Sequence, residues 1–591
     1  MSKTKNVFKK ILIWKYKYIS ERQFVYILSV LVGFLAGLGT LVLKNLTFFF
    51  QDILEGKFIK DYHYSLYFIF PIIGLFLVYC IKEYFIKKEI GHGISTTLHS
   101  ISKRSGIIEK YKIYASLITA PITVGFGGSA GLQGPAVSTG AALGSTVAQL
   151  FHMNTKTRML LIGCATAGAM SSMFKAPVAA IIFAVEIFSL DLAFASLVPL
   201  LLASVSAVIT SYFFLGKDVL FGFKLQDAFE INDLVFYILL GLATGIASIY
   251  FSKIYFRITS FFDRFNNPFK KLIIGGIAIG IMLYLIPPLY GEGYGLINNL
   301  LNGNAVEALN DIPYNINFNN VWMVILFLFL VTVFKAIAMT TTFAAGGVGG
   351  IFIPTLVMGS ALGNIFGKII NQLGFSVSET NFTLIGMTGL MAGVLHAPLT
   401  AIFLIAEITG GYDLFVPLML VAAISYAFTK YFISNSIYTI ELARRGELIT
   451  HNKDKNVLMM MQIDKLIETN FKAISSEMTL EIMLKKAVAK STRNIFPVLD
   501  QEKQFLGIVL MDDIRPVMFE QEMYDKLTVE TLMKSAPEII LYNDSMHVVM
   551  QKFKESGAWN LPVIKDNKYL GFISKSKLLT AYRNKLIEVT S

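Results

Sequence analysis

The chain has 591 residues, of which 54% are hydrophobic and only 16% charged. That balance excludes an ordinary soluble globular protein and places the polypeptide among polytopic membrane proteins. A formal net charge of +12 would suit nucleic acid, but the basic residues fall mostly outside the apolar runs and are not interleaved with base-stacking aromatics, so that partner is excluded.

In chain order, Lys3, Lys5, Lys9, Lys10, Lys15, Lys17 and Arg22 precede the first apolar run. By the lysine/arginine loop rule this segment, residues 1–23, is cytoplasmic. No small-residue cleavage site follows a short apolar core, so no removable signal peptide is read. Apolar runs recur at Phe24–Leu43, Leu66–Ile81, Pro177–Leu215, Leu234–Phe256, Leu272–Leu289, Val321–Met339 and Phe382–Phe428. Several are long enough to cross a hydrocarbon core of about 30 Å. Others are too short or too glycine-rich to span cleanly, so tilted and interrupted helices are expected. Cys80 and Cys164 both lie in apolar context and predict neither a disulfide framework nor a metal site.

Between these runs stands "GGSAGLQGPAVSTG", Gly127–Gly140, which sets five glycines and a proline around the lone Gln133. Its Gly127, Gly128, Gly131, Pro135, Gly140, Ala142, Leu143 and Gly144 recur as Gly346, Gly347, Gly350, Pro354, Gly359, Ala361, Leu362 and Gly363, at a constant offset of 219 residues. "APVAAIIFAVEI" (Ala176–Ile187) returns as "APLTAIFLIAEI" (Ala397–Ile408) at nearly the same offset. The membrane part is therefore two homologous halves. Paired halves with glycine- and proline-broken segments at matching positions point to a transport protein with its site at the repeat interface.

Broken backbone is tolerated at membrane depth only where protein buries it or where it lines a polar cavity. A helix that starts inside the membrane directs its free N–H groups and the positive end of its dipole at that cavity, which favours an anion. Two such starts, after Gly131 and after Gly350, would make an anion site without a full positive charge. The apolar runs contain few acidic residues, as an anion path would prefer, and no carboxylate is read at either broken helix. Close packing of small residues is the competing explanation for a single glycine-rich stretch, and the duplication with proline weighs against it. "GFGGSAG" (Gly125–Gly131) lacks the strand-helix-strand surroundings of a dinucleotide fingerprint.

From about Lys453 the long apolar runs stop. "FPVLDQEKQFLGIV" (Phe496–Val509) and "LPVIKDNKYLGFI" (Leu561–Ile573) share a Pro-Val strand, a polar turn and a glycine-started second strand, each preceded by an amphipathic helical stretch at Leu480–Ala489 and Met546–Ser556. Two copies of this unit resemble a CBS-domain pair.

The membrane region resembles the CLC family of chloride channels and chloride/proton exchangers. "GLQGP" (Gly131–Pro135) is similar to the family's GREGP, "GGIFIP" (Gly349–Pro354) to its GxFxP, "GHGIS" (Gly91–Ser95) stands at the place of its GSGIP, and "SIYTIELARRG" (Ser436–Gly446) resembles the last-helix segment with the family's central tyrosine. The resemblance runs from about Phe24 and includes the tail, since members often carry a cytoplasmic CBS pair. It implies a homodimer with a separate pore per subunit, each walled by two inverted halves. By position it implies an anion held by the backbone amides of Ile351 and Phe352, by the Tyr438 hydroxyl and by His92.

The departures from the family pattern carry the functional expectation. The glutamate of GREGP gates the outer mouth and, in exchangers, carries the proton; here Gln133 replaces it and cannot titrate. The internal proton-relay position is Ile187, directly after Glu186. Glu186 and its repeat partner Glu407 follow long apolar helices and are read as helix-end or interface carboxylates. His92 stands where a pore-lining serine is usual, and would donate a hydrogen bond to the anion and add a charge when protonated. In the tail, the aspartate that holds a nucleotide ribose in many CBS pairs is kept as Asp513, while Lys577 takes the second place.

Three regions are thus expected: a cytoplasmic segment 1–23, a CLC-type transmembrane domain 24–451 with broken helices in an inverted repeat, and a C-terminal α/β CBS pair 452–591. The expected function is passive transport of chloride or a similar small anion without obligatory proton exchange, in the plasma (inner) membrane of a prokaryote, with both termini cytoplasmic. A chloride/proton antiporter using His92 as proton carrier is the alternative, and a CBS-regulated cation transporter or membrane nucleotide sensor is the reading from another class. No enzyme activity, metal or cofactor is expected; the CBS pair is read either as binding one adenine nucleotide through Asp513 or as a dimerisation and folding module without a ligand.

Overall fold

The computed structural model describes residues 18–54, 63–91, 93–188, 194–216, 221, 229–309, 320–440, 457–458 and 461–590. It divides into two units, Met1–Leu448 and Ile449–Ser591, where the sequence placed a boundary at 451/452.

The first half of the membrane unit runs through α1 (Glu21–Leu54), α2 (His63–Cys80, continued by a π-helical turn Ile81–Ile86), α3 (Ile94–Lys103), α4 (Tyr111–Gly125), α5 (Gln133–Leu150), α6 (Thr155–Phe174), α7 (Pro177–Phe188) and α8 (Phe194–Leu215). The second repeats the order as α9 (Leu234–Asp263), α10 (Pro268–Leu285), α11 (Tyr294–Leu301), α12 (Val321–Ala344), α13 (Phe352–Gln372), α14 (Glu379–Leu395), α15 (Pro398–Ile408) and α16 (Phe415–Phe432). Among the described residues, eight helices are long and apolar enough to cross a membrane.

Several boundaries differ from the apolar runs. Helix α1 starts at Glu21 because Ser20 and Gln23 form a capping box: the Ser20 N–H donates to Gln23 Oε1 at 3.1 Å and the Gln23 N–H to Ser20 Oγ at 3.3 Å. The run Pro177–Leu215 is two helices, α7 and α8. Phe382–Phe428 is three, because His396 ends α14 in a left-handed conformation (φ 55°) and Pro398 starts α15. At 1.5 Å per residue α7 and α15 reach only about 17 Å, so neither spans alone.

The halves are joined by reciprocal contacts, the signature of a two-fold relation. Gly131 N–H donates to Gly350 O at 2.9 Å and Gly350 N–H to Gly131 O at 2.6 Å. Beside this bridge, Ser129 N–H donates to Thr342 Oγ1 (3.2 Å) and Val348 N–H to Thr123 Oγ1 (3.0 Å), the same bond drawn once from each half. A Cβ on Gly350 would lie 2.6 Å from Gly134 N, so only glycine permits this approach. The small-residue explanation also holds further along: Gly140 and Gly144 seat α5 on α6, and Gly359 and Gly363 seat α13 on α14.

The second unit contains two three-stranded sheets of one topology. In the first, β1 (Ile474–Ser475) pairs parallel with β2 (Ile495–Leu499), which pairs antiparallel with β3 (Phe505–Leu510); in the second, β4 (Ile540–Leu541), β5 (Asn560–Lys565) and β6 (Lys568–Ser574) do the same. Helices α17 (Leu480–Lys486) and α18 (Met511–Ile514) accompany the first sheet, α19 (Val529–Leu532) follows it, and α20 (Met546–Ser556) and α21 (Lys575–Thr590) accompany the second. Contrary to the sequence reading, Gly507 and Gly571 lie inside β3 and β6 rather than at their starts. Each faces a backbone from the other repeat: Ile508 exchanges two hydrogen bonds with Lys534 and Phe572 exchanges two with Glu468. The repeats are therefore interlocked.

Candidate anion site and gate

A cavity lies where the halves meet, lined by Ile94, Ser95 and Gly134 from the first and by Tyr255, Phe343, Gly349, Gly350, Ile351, Ile437 and Tyr438 from the second. Helix α13 begins beside it. Its ladder opens with Thr355 N–H donating to Ile351 O at 3.1 Å, so the preceding amides have no acceptor within the helix. Tyr438 sits in a turn after α16, fixed by Thr439 and Ile440 N–H groups donating to Ser436 O at 3.0 and 2.9 Å. Its hydroxyl is buried and has no hydrogen-bond partner among the described residues. A buried, unpartnered hydroxyl beside helix amides that have no acceptor in their own helix is what an anion would satisfy.

Of the four expected anion-site residues, the structure brings Ile351 and Tyr438 together. Phe352 is the first residue of α13, with its ring packed on Phe183 (5.5 Å between centroids) and Phe174 (6.3 Å) rather than lining the cavity. His92 lies outside the described residues. Ser95, which the sequence reading passed over, contributes a hydroxyl to the lining.

Gln133 is the first residue of α5 and is fully buried. Its amide folds over Gly131 and Nε2 donates to Glu292 Oε1 at 3.2 Å and to the Tyr294 hydroxyl at 3.1 Å. The Leu132 N–H also donates to Glu292 Oε1, at 3.0 Å. A carboxylate therefore stands at the start of a broken helix, which corrects the expectation that none does. The overlooked signal is a repeat: "GEGY" (Gly291–Tyr294) restates "GHGI" (Gly91–Ile94), and all four glycines have positive φ, from 46° to 89°. Glu292 is thus the second-half counterpart of His92. Position masks it, since it lies 160 residues from Leu132.

The carboxylates of "FAVEI" and "LIAEI" are helix caps. Glu186 accepts from the N–H groups of Leu399 (3.2 Å) and Thr400 (2.8 Å) and from the Thr400 hydroxyl, at the start of α15. Glu407 accepts from Val178 (3.1 Å) and Ala179 (2.8 Å) at the start of α7. Ile187 is buried within α7. In the second unit, Asp513 in α18 accepts from Lys534 Nζ at 2.6 Å through Oδ1, while its Oδ2 is buried without a partner among the described residues. Lys577 Nζ donates to Ile467 O at 3.2 Å.

A two-fold repeat with broken helices meeting at a central cavity defines a membrane transport protein. The family described as voltage gated chloride channel matches residues 73–430 and the CBS domain family matches residues 529–584. The chain belongs to the voltage-gated chloride channel (CLC) family and carries a C-terminal CBS pair, the first repeat being recognised by its shared topology. It is 28% identical over 384 residues to a ClcB-like protein of Ralstonia nicotianae, covering 64% of this chain and 85% of that one. To the H(+)/Cl(-) exchange transporter ClcA of Vibrio campbellii it is 30% identical over 308 residues, covering 50% and 62%. Its fold matches a crystal structure of a eukaryotic CLC transporter with a TM-score of 0.59 at 16% identity, over 94% of this chain and 97% of that one. The chain is accordingly a membrane-embedded CLC-family anion transporter.

Proposed function

We propose that this protein moves chloride, or a small anion of similar size, down its gradient without obligatory proton exchange. The observation that carries this reading is Gln133 at the first position of α5, a neutral amide in place of a carboxylate, with its donors committed to Glu292 and Tyr294. The apolar Ile187 supports it, because a buried isoleucine passes no proton. Anion binding is assigned to the amides of Ile351 and Phe352, the Tyr438 hydroxyl and His92. The protein works as a homodimer in a prokaryotic plasma membrane, with N-terminus and tail cytoplasmic. The tail takes an adenine nucleotide through Asp513, whose buried Oδ2 supplies an acceptor once Lys534 turns aside.

The name of the Vibrio relative favours a second reading, chloride/proton exchange, with His92 as carrier. Efflux of chloride from liposomes, with external pH recorded under an imposed chloride gradient, separates the two. Uncoupled transport gives chloride efflux with no proton movement; stoichiometric proton uptake that is lost in His92→Ser establishes exchange instead. Tyr438→Phe is expected to weaken chloride binding about tenfold, the loss of one hydrogen bond to a charged group.

A further inference from the structure

A gate whose central residue cannot titrate is not thereby blind to pH, because the group holding it is a carboxylate. Glu292 is partly buried just before α11, while Gln133 is fully buried. One oxygen, Oε1, takes two hydrogen bonds, from Leu132 N–H and Gln133 Nε2. Both donors belong to the start of α5, the end whose dipole would otherwise favour a passing anion. The loop that carries Glu292 is held from α12: Lys335 Nζ donates to Leu289 O at 3.1 Å and to Gly291 O at 3.0 Å. Tyr294 is fixed by its ring against Phe221, 5.7 Å between centroids. The charged and titratable groups around the carboxylate are therefore Lys44 of α1, Lys335 of α12 and Tyr294 of α11. Lys44 is itself tied to Met173 O at 2.7 Å.

We propose that Glu292 is the titrating part of the outer gate, a positioning residue that clamps Gln133 and the start of α5 as a carboxylate and releases them when it takes up a proton from the aqueous side. In the ionised form the carboxylate occupies the Leu132 amide and sets a negative charge beside the anion path. Protonation removes that charge and the strongest acceptor of the Gln133 amide. The sign follows: the group is ionised at high pH, so anion flux is low there and rises as pH falls through its titration. The gate carboxylate that the first half lacks at position 133 is supplied by the second half.

This proposal rests on the uncoupled reading, and the two fail separately. With full-length protein in liposomes at equal internal and external pH, chloride efflux is measured from about pH 8 to about pH 5. Wild type is expected to rise about tenfold, the scale of one nearby charge partly offset by Lys44 and Lys335. Glu292→Gln is expected to be flat at the acid plateau, and Glu292→Asp to keep the slope with a displaced midpoint. A full slope in Glu292→Gln, or a slope abolished by His92→Ser and kept in Glu292→Gln, overturns the proposal. Should Glu292→Gln fail to fold, an unmoved midpoint in Glu292→Asp overturns it. Proton uptake under a chloride gradient bears on the uncoupled reading alone, because the slope is read with no pH difference across the membrane.

Discussion

Gln133 and Phe352 hold the same position in the two halves, the first residue of a helix that starts beside the central cavity, and they are treated in opposite ways. Phe352 is packed in an aromatic cluster with Phe174 and Phe183. Gln133 is held by hydrogen bonds that one proton can loosen. Identical backbone frames thus serve one fixed wall and one adjustable one. The difference comes from side chains that the repeat does not share, above all Glu292, which holds Gln133.

The largest effect expected from breaking the shared frame is at its bridge. In Gly350→Ala the new Cβ would meet Gly134 N at 2.6 Å and Gly131 O at 3.3 Å, with no flexible side chain to yield. Overpacking together with loss of the reciprocal hydrogen bonds costs about 2–4 kcal/mol. Abolished transport and a lowered unfolding temperature in detergent are the expected results; a variant as stable as wild type would show that the bridge is incidental.

A smaller effect tests whether the halves are equivalent. Thr342→Val and Thr123→Val each leave one buried N–H without an acceptor, at Ser129 and Val348 respectively. Each is expected to cost about 1–3 kcal/mol, by similar amounts. A large inequality in thermal unfolding would mean that the two-fold relation of the contacts is not one of energies.

How much of this was legible depended on where the chemistry left a mark in the residues. The duplication and its broken helices were readable because glycine and proline are dictated by backbone approach, and the Gly131–Gly350 bridge explains why both copies keep them. The matched frames marked Glu186 and Glu407 as helix-end or interface carboxylates, but not that each caps the start of the other half's short helix. Glu292 was missed because its role arises from tertiary proximity to Leu132 and Gln133, and a lone glutamate in a Gly-x-Gly turn has no chemistry of its own. The exchange of backbone bonds between the tail repeats was unreadable for a related reason: Ile508 to Lys534 and Phe572 to Glu468 are main-chain pairs, which any side chain permits. Phe352 shows the converse, since its motif placed the residue at the right helix start and said nothing of the aromatic cluster that takes its side chain.

The smallest expected effect separates structure from proton traffic. Glu186 lies one residue before the relay position, yet its carboxylate is spent on the start of α15 just as Glu407 is spent on α7. Glutamine keeps one acceptor oxygen and loses the charge that favours a helix start, so Glu186→Gln and Glu407→Gln are each expected to cost about 0.5–1 kcal/mol. Chloride flux and its pH slope should be unchanged in both. The comparison is sharp because the two residues are structural equivalents and only Glu186 adjoins Ile187. If Glu186→Gln alone altered proton movement, the cap would double as a proton-handling group and the two halves would differ at their short helices as they do at the gate; if both variants lose a little stability and nothing else, the asymmetry of this transporter is confined to the start of α5.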